Sequence, residues 1–312
     1  MQTSKESNCN HFLSISDITK EELIYLINLA EDFKNNTTTS NLNNKVLGLI
    51  FNKASTRTRV SFQVAMSRLG GTTIDLNPNT SQIGRGEPIK DTARVLSRYC
   101  DVLAIRTFSQ EDLYEYAKWS TKPIINALTD IEHPCQVLAD FLTIKEHFGD
   151  FKNLIFTYVG DGNNVANSLI LAASLLGIEL RIASPKNFEP DNEIIKKSFS
   201  LNPKNNLKIT HDPAEAVSGA NIIYTDVWSS MGQEKNKEDK DNNFEGFTID
   251  KKLVDSAEED FIILHCLPAY RGKEITDEII ESQNSKIFDQ AENRMHSQQA
   301  LLSFLLPRPC KQ

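Results

Sequence analysis

The sequence is short of features that mark several large protein classes. It contains five cysteines, Cys9, Cys100, Cys135, Cys266 and Cys310, an odd number with no C-x-x-C pair. Neither a disulfide framework nor a zinc site is expected from that pattern, and a reducing compartment fits it best. No apolar run approaches the ~18–20 residues needed to cross a membrane, so no membrane partner is expected. The opening stretch MQTSKESNCNHFLSIS has no apolar segment after its charges, so no signal peptide is expected and a cytoplasmic location follows. Positive charge is in deficit, 34 Lys and Arg against 42 Asp and Glu, for a formal net charge of -8. A nucleic-acid partner usually needs a basic face, so none is expected. The G-x-G-x-x-G fingerprint of dinucleotide binding is missing, and no internal repeat is visible.

What is present is a chain of 312 residues with 39% hydrophobic and 24% charged residues. That is ordinary globular composition, and the length suits two domains with sizeable cores. Residues 19–34 have apolar positions at helical spacing, with Asp17 or Thr19 available as cap. Residues 45–51 (KVLGLIF) read as a buried strand, and 55–69 as a helix stopped by Gly70-Gly71. The alternation continues with strands over 71–76, 102–106 and 123–127 and helices over 89–99, 110–119 and 134–148. A second series of strands is expected over 153–159, 178–183, 222–225, 262–265 and 286–288, the last leading into a helix over 292–306. Residues 233–247 (QEKNKEDKDNNFEGF) read as a solvated loop or a lid.

Strand–helix alternation over this length means an α/β fold, two doubly wound domains each with a central parallel sheet. They join near the 134–148 helix, and the last helix is expected to return to the first domain. In open parallel sheets ligands bind beyond the carboxyl ends of the strands. There the sequence places Ser55-Thr56-Arg57-Thr58, Arg106, His133, Asp161-Gly162-Asn163-Asn164, Asp226, His265-Cys266-Leu267-Pro268 and Glu292-Asn293-Arg294. Such a concentration of polar and reactive side chains points to an active site in the cleft between the two domains.

The segment FNKASTRTRVSF at 51–62 is the most telling. Ser55 to Thr58 fall where a helix begins, and the unpaired N–H groups and positive dipole end of a helix favour an anion. The hydroxyls add donors, and Arg57 adds a charged fork suited to phosphate. Arg59, two positions on, must point elsewhere. The plain alternative is an ordinary capped helix with surface arginines.

FNKASTRTRVSF, HPCQ at 133–136, DVWSSMGQE at 226–234 and HCLP at 265–268 occur in this order. Together they resemble the aspartate/ornithine carbamoyltransferase family over nearly the whole chain, and S-M-G at 230–232 with H-C-L-P matches its ornithine branch. The resemblance implies transfer of the carbamoyl group of carbamoyl phosphate to the δ-amine of L-ornithine, giving citrulline and phosphate. It implies direct attack with no covalent intermediate, no metal and no organic cofactor. It implies a carbamoyl-phosphate-binding domain over 1–135 and 292–312 and an ornithine-binding domain over 136–291. Carbamoyl phosphate contacts are implied for Ser55, Thr56, Arg57, Thr58, Arg106, His133, Gln136, Cys266, Leu267 and Arg294, with Gln82 reaching a neighbouring subunit's site. Ornithine contacts are implied for Asn164, Asp226, Ser230 and Met231. Arg106, His133, Asp226 and Cys266 are the implied catalytic group. A homotrimer and a place in arginine metabolism are implied in the same way. Ala54 stands where many relatives have Pro or Thr, and Gln63 where Glu is frequent. Three alternatives stay open: another acceptor (N-acetylornithine, putrescine), a non-catalytic relative, or a nucleotide-dependent enzyme resting on GDGNN at 160–164.

Overall fold

A computed structural model describes residues 11–53, 55–77, 86–229 and 241–306. The chain divides into two compact units, Met1–Leu138 with Arg294–Gln312, and Ala139–Asn293.

In the first unit four parallel strands, β1 (Val46–Phe51), β2 (Thr72–Leu76), β3 (Val102–Arg106) and β4 (Ile124–Leu128), form a sheet in the order β2-β1-β3-β4. Every residue of β3 and β4 is buried, as is nearly all of β1. Strands covered on both faces read as continuous apolar runs rather than as alternation, which is why they are conspicuous in the sequence. The edge strand β2 is instead largely exposed and carries Thr72, Thr73 and Asp75. The other edge is covered by the chain itself: the Phe12 amide donates to the Ile124 carbonyl, and the Asn126 amide to the Phe12 carbonyl. Four helices accompany these strands: α1 (Lys20–Lys34), α2 (Arg57–Arg68), α3 (Ile89–Tyr99) and α4 (Gln110–Trp119). Thr19 caps α1 in a reciprocal box with Glu22. The core between α3, α4 and the sheet gathers Ile50, Leu103, Ile105, Leu113 and Tyr116.

In the second unit β5 (Ile155–Val159), β6 (Glu179–Ala183), β7 (Leu207–Thr210), β8 (Ile222–Thr225) and β9 (Ile262–His265) form a parallel sheet in the order β7-β6-β5-β8-β9. The order reverses at β5, the point at which doubly wound sheets open a crevice. Helix α5 (Pro134–Phe148) precedes β5, and α6 (Asn164–Leu176) follows it. Then come α7 (Asn192–Leu201), α8 (Pro213–Val217), two single turns at Lys251–Val254 and Asp277–Ile280, and a long C-terminal helix, Ile287–Leu305, which belongs to the first unit from Arg294 onward. Almost every side chain of α6 is buried, and Gly177 closes it in the left-handed conformation at φ 78°.

Two expectations are corrected. Residues 286–288 are not a strand: Ser285 makes a single parallel bridge to Ile263, the Lys286 amide donates to the Ile263 carbonyl, and the helix has begun by Ile287. Its start is therefore earlier than residue 292. The described end of the 233–247 segment is not a solvated loop. Phe244 is fully buried, stacked on Trp228 with ring centroids 5.2 Å apart, and Phe247 is buried beside it. Residues 233–240 lie outside the described residues.

Candidate active site

The first unit gathers its polar groups at the carboxyl ends of β1, β3 and β4. β1 ends at Phe51, in register with Arg106 at the end of β3, and the Asn52 amide donates to the Arg106 carbonyl. The chain then turns into α2 through Ser55 and Thr56. Thr56 occupies the cap position in right-handed helical conformation, and its side chain makes no capping bond. The first N–H groups of α2 therefore receive none from Thr56, unlike those of α1, α4 and α6, which Thr19, Ser109 and Asn163 cap. Thr56 and Arg57 are exposed, Ser55 is half-buried and Thr58 is buried. Arg59 points away, paired with Asp75 and lying over the Phe51 ring.

Arg106, His133, Gln136 and Arg294 are all buried. One Arg294 guanidinium nitrogen donates to Gln136 Oε1 at 2.5 Å, and the other to Thr58 Oγ1 at 3.1 Å. One arginine thus ties the start of α2 to the start of α5. Burial, followed by the positive charges of Arg294 and Arg106, pushes the His133 imidazolium well below the usual histidine range. His133 is neutral at pH 7 and offers one N–H donor. Cys135 is fully buried, and its thiol is pushed up to about 12 by burial. That is an inert core sulfur, not a nucleophile. Gln82 lies outside the described residues.

The second unit places its groups at the ends of β5, β8 and β9, three neighbours in the sheet. Asp226 follows β8 directly and is 6% exposed. Its Oδ1 accepts from the Val227 amide at 2.8 Å and from the Cys266 thiol at 3.0 Å; its Oδ2 accepts from the Asn163 side-chain amide at 2.8 Å. Asn164 is the first residue of α6 and half-buried. Cys266 follows β9, and Leu267 sits at φ 58°, a left-handed conformation unusual for leucine. The Leu267 amide donates to His265 Nδ1 at 2.9 Å, while His265 Nε2 lies 3.1 Å from Glu274 Oε1. The ring is therefore the Nε2–H tautomer. The His265 amide donates to Gln290 Oε1, whose own amide donates to Asp140. Ser230 and Met231 lie outside the described residues.

Asp226, His265 and Cys266 each carry a metal-ligating atom, all within 4.8 Å of one another. The set fits a metal poorly, because the Leu267 amide and Glu274 already engage both His265 nitrogens. The glycines of GDGNN also have a local reason. A Cβ on Gly162 would lie 2.2 Å from the Pro190 nitrogen and 2.3 Å from the Glu189 carbonyl carbon. Gly162 is there for close backbone packing rather than for a phosphate cradle.

Glu274 and Gln290 were not singled out by the sequence, and Asn163 and His265 stood there only among the polar residues at strand ends, without a role of their own. Asn163 caps α6, and its second bond depends on how β8 lies beside β5. Glu274 and Gln290 stand in polar segments that carry no local signal.

Residues 10–146 match the family model for the aspartate/ornithine carbamoyltransferase carbamoyl-P binding domain, and residues 152–305 match that for the Asp/Orn binding domain. An ornithine carbamoyltransferase from Prochlorococcus marinus is 68% identical over 297 residues, covering 95% of this chain and 96% of its own. One from Nostoc punctiforme is 53% identical over 295 residues, 94% of this chain and 96% of its own. Among solved structures, the ornithine carbamoyltransferase of Pyrococcus furiosus superposes with a TM-score of 0.90 at 45% identity, covering 96% of this chain and 98% of its own. That of Gloeobacter violaceus gives 0.87 at 47% identity, covering 96% and 99%.

Proposed function

This chain belongs to the aspartate/ornithine carbamoyltransferase family, and from that membership and its two half-sites we propose that it transfers the carbamoyl group of carbamoyl phosphate to the δ-amine of L-ornithine. The observation that carries the first half of the reading is the bonding of buried Arg294 to both Thr58 and Gln136. It gathers charged and neutral donors at a helix N-terminus that Thr56 leaves uncapped.

In this reading the phosphate sits on the first N–H groups of α2, with Ser55, Thr56, Arg57 and Thr58. Arg106 spans the phosphate and the carbonyl oxygen. His133, neutral, donates to the carbonyl oxygen, while Gln136 meets the carbamoyl amide and Arg294 adds a further contact. Gln82 of a neighbouring subunit completes the site in a homotrimer. Ornithine is held in the second unit by Asn164, Asp226, Ser230 and Met231. Cys266 and the Leu267 carbonyl face the δ-amine and the carbamoyl nitrogen.

Carbamoyl phosphate binds first. The uncharged δ-amine attacks the carbamoyl carbon, and the carbonyl oxygen takes up negative charge. Arg106, His133 and Thr58 stabilise that charge; each fixed donor of this kind is worth about 3 kcal/mol. The C–O bond to phosphate then breaks, the amine proton passes to the departing phosphate, and citrulline and hydrogen phosphate remain. Arg57 and the α2 N-terminus stabilise the departing phosphate. Much of the acceleration comes from orienting two substrates. The setting is a cytoplasmic enzyme of arginine metabolism.

The test is incubation with carbamoyl phosphate and ornithine. Citrulline and phosphate should appear in equal amounts, with no carbamoylated protein by intact-mass analysis. A covalent carbamoyl adduct that turns over, or no citrulline, would sink the reading.

A further inference from the structure

A half-buried asparagine at the start of α6 does two things at once. Asn163 is the N-cap: its Oδ1 accepts from the Val165 amide at 2.9 Å and from the Ala166 amide at 3.3 Å. The other end of the same side chain donates to Asp226 Oδ2 at 2.8 Å. The amide cannot be turned over without pointing N–H at N–H and oxygen at carboxylate, so both contacts fix its orientation.

Counting acceptor positions on Asp226 shows what this contact decides. A carboxylate oxygen has two lone-pair directions. Among the described residues, Oδ1 spends both, on the Val227 amide and the Cys266 thiol. Oδ2 spends one, on Asn163. Among the described residues the remaining acceptor direction of Asp226 is therefore on Oδ2, beside Asn163, and its aim depends on that side chain.

We propose that Asn163 is a positioning residue for the amine acceptor: by bridging the α6 N-terminus and Asp226 Oδ2 it fixes the one carboxylate direction left for the substrate's ammonium group. It does not touch the acceptor and acts through Asp226. The proposal rests on the ornithine reading of the second unit.

Two substitutions separate this role from helix capping, because Ser and Asp cap as well as Asn. Asn163→Ser keeps an acceptor for the α6 amides but is too short to reach Asp226. Asn163→Asp has the reach but no donor, and sets carboxylate against carboxylate. Kinetics with ornithine and carbamoyl phosphate varied separately should show kcat/KM for ornithine falling about ten- to a hundredfold in Asn163→Ser. Asn163→Asp should fall further. The KM for carbamoyl phosphate should stay within about twofold and the melting temperature close to wild type. Wild-type kcat/KM for ornithine in either variant overturns the proposal. So does a parallel loss for both substrates with a lowered melting temperature, which would leave only the cap. If the wild type itself does not turn over ornithine, it is the ornithine reading that fails. The Asn163–Asp226 link is then read without substrate, from the Asn163 side-chain amide by NMR. Its protons should exchange slowly in the wild type and fast in Asp226→Ala; fast exchange in the wild type overturns the link.

Discussion

Replacing Arg294 by methionine keeps the length of the side chain and removes its fork. The bonds to Gln136 Oε1 and Thr58 Oγ1 are among those lost. Hydrogen bonds to a charged group are each worth about 1.5–3 kcal/mol net. Against that loss, the folded protein no longer has to desolvate a guanidinium that is 4% exposed, a cost of several kcal/mol. The two nearly cancel, so the unliganded variant should be within about 2 kcal/mol of wild type. Anion binding has no such offset. Losing one charge-assisted contact should weaken phosphate about ten- to a hundredfold. The consequence is measurable by unfolding. The chain has two tryptophans, Trp119 in the first unit and Trp228 in the second, so in a Trp228→Phe background the fluorescence of Trp119 reports on the first unit. With phosphate at a hundred times its wild-type Kd, the wild type gains about 2.7 kcal/mol. A variant weakened a hundredfold gains about 0.4 kcal/mol by the same relation. If Arg294→Met keeps the full gain, Arg294 is not an anion contact. If instead it loses more than about 3 kcal/mol without ligand, its role is structural.

Two further outcomes follow from the geometry. His133 is held neutral in the folded state, its pKa below the unfolded value near 6.5. Below that pH the unfolded chain binds a proton that the native state refuses, so stability falls as pH falls, by at most about 1.4 kcal/mol per pH unit, until the folded pKa is reached. His133→Gln should flatten that slope between pH 6.5 and 5; an unchanged slope would show that His133 is not the group responsible. Phe244→Ala should cost the second unit about 3–5 kcal/mol, read from Trp228 fluorescence. A loss under about 1 kcal/mol would mean that the stack on Trp228 does not hold this segment in the core.

Much of the fold was written in local pattern. Residues 89–99, 102–106 and 110–119 are periodic or continuously apolar and were expected to end at Tyr99, Arg106 and Trp119, where the structure ends them too. The errors came where tertiary partners outvote local pattern. Lys286-Ile287-Phe288 looks like a short strand, but a single bridge through Ser285 is all β9 provides, and helical periodicity takes over at Ile287. Phe244 and Phe247 stand in a charged run, and packing of Phe244 against Trp228, Phe188 and Phe247 makes it a core residue. The stretch holding α7, β7 and α8 carries no expectation, because β7 is an edge strand of only four residues, LKIT, too short for its alternation to stand out. At the site, the residues at strand ends were legible from topology alone. The bonds that support them were not, since those of Asn163, Glu274 and Gln290 reach residues 9 to 63 positions away.

The central claim is that the second unit selects the acceptor by a carboxylate, Asp226, aimed at a free amine. Its most direct test is kcat/KM for L-ornithine, N-acetylornithine, putrescine and aspartate under saturating carbamoyl phosphate, in wild type and in Asp226→Asn. Turnover of ornithine far above the other three, lost in Asp226→Asn with KM for carbamoyl phosphate unchanged, is the predicted result. Equal or faster turnover of N-acetylornithine or putrescine, or full ornithine turnover in Asp226→Asn, would contradict it.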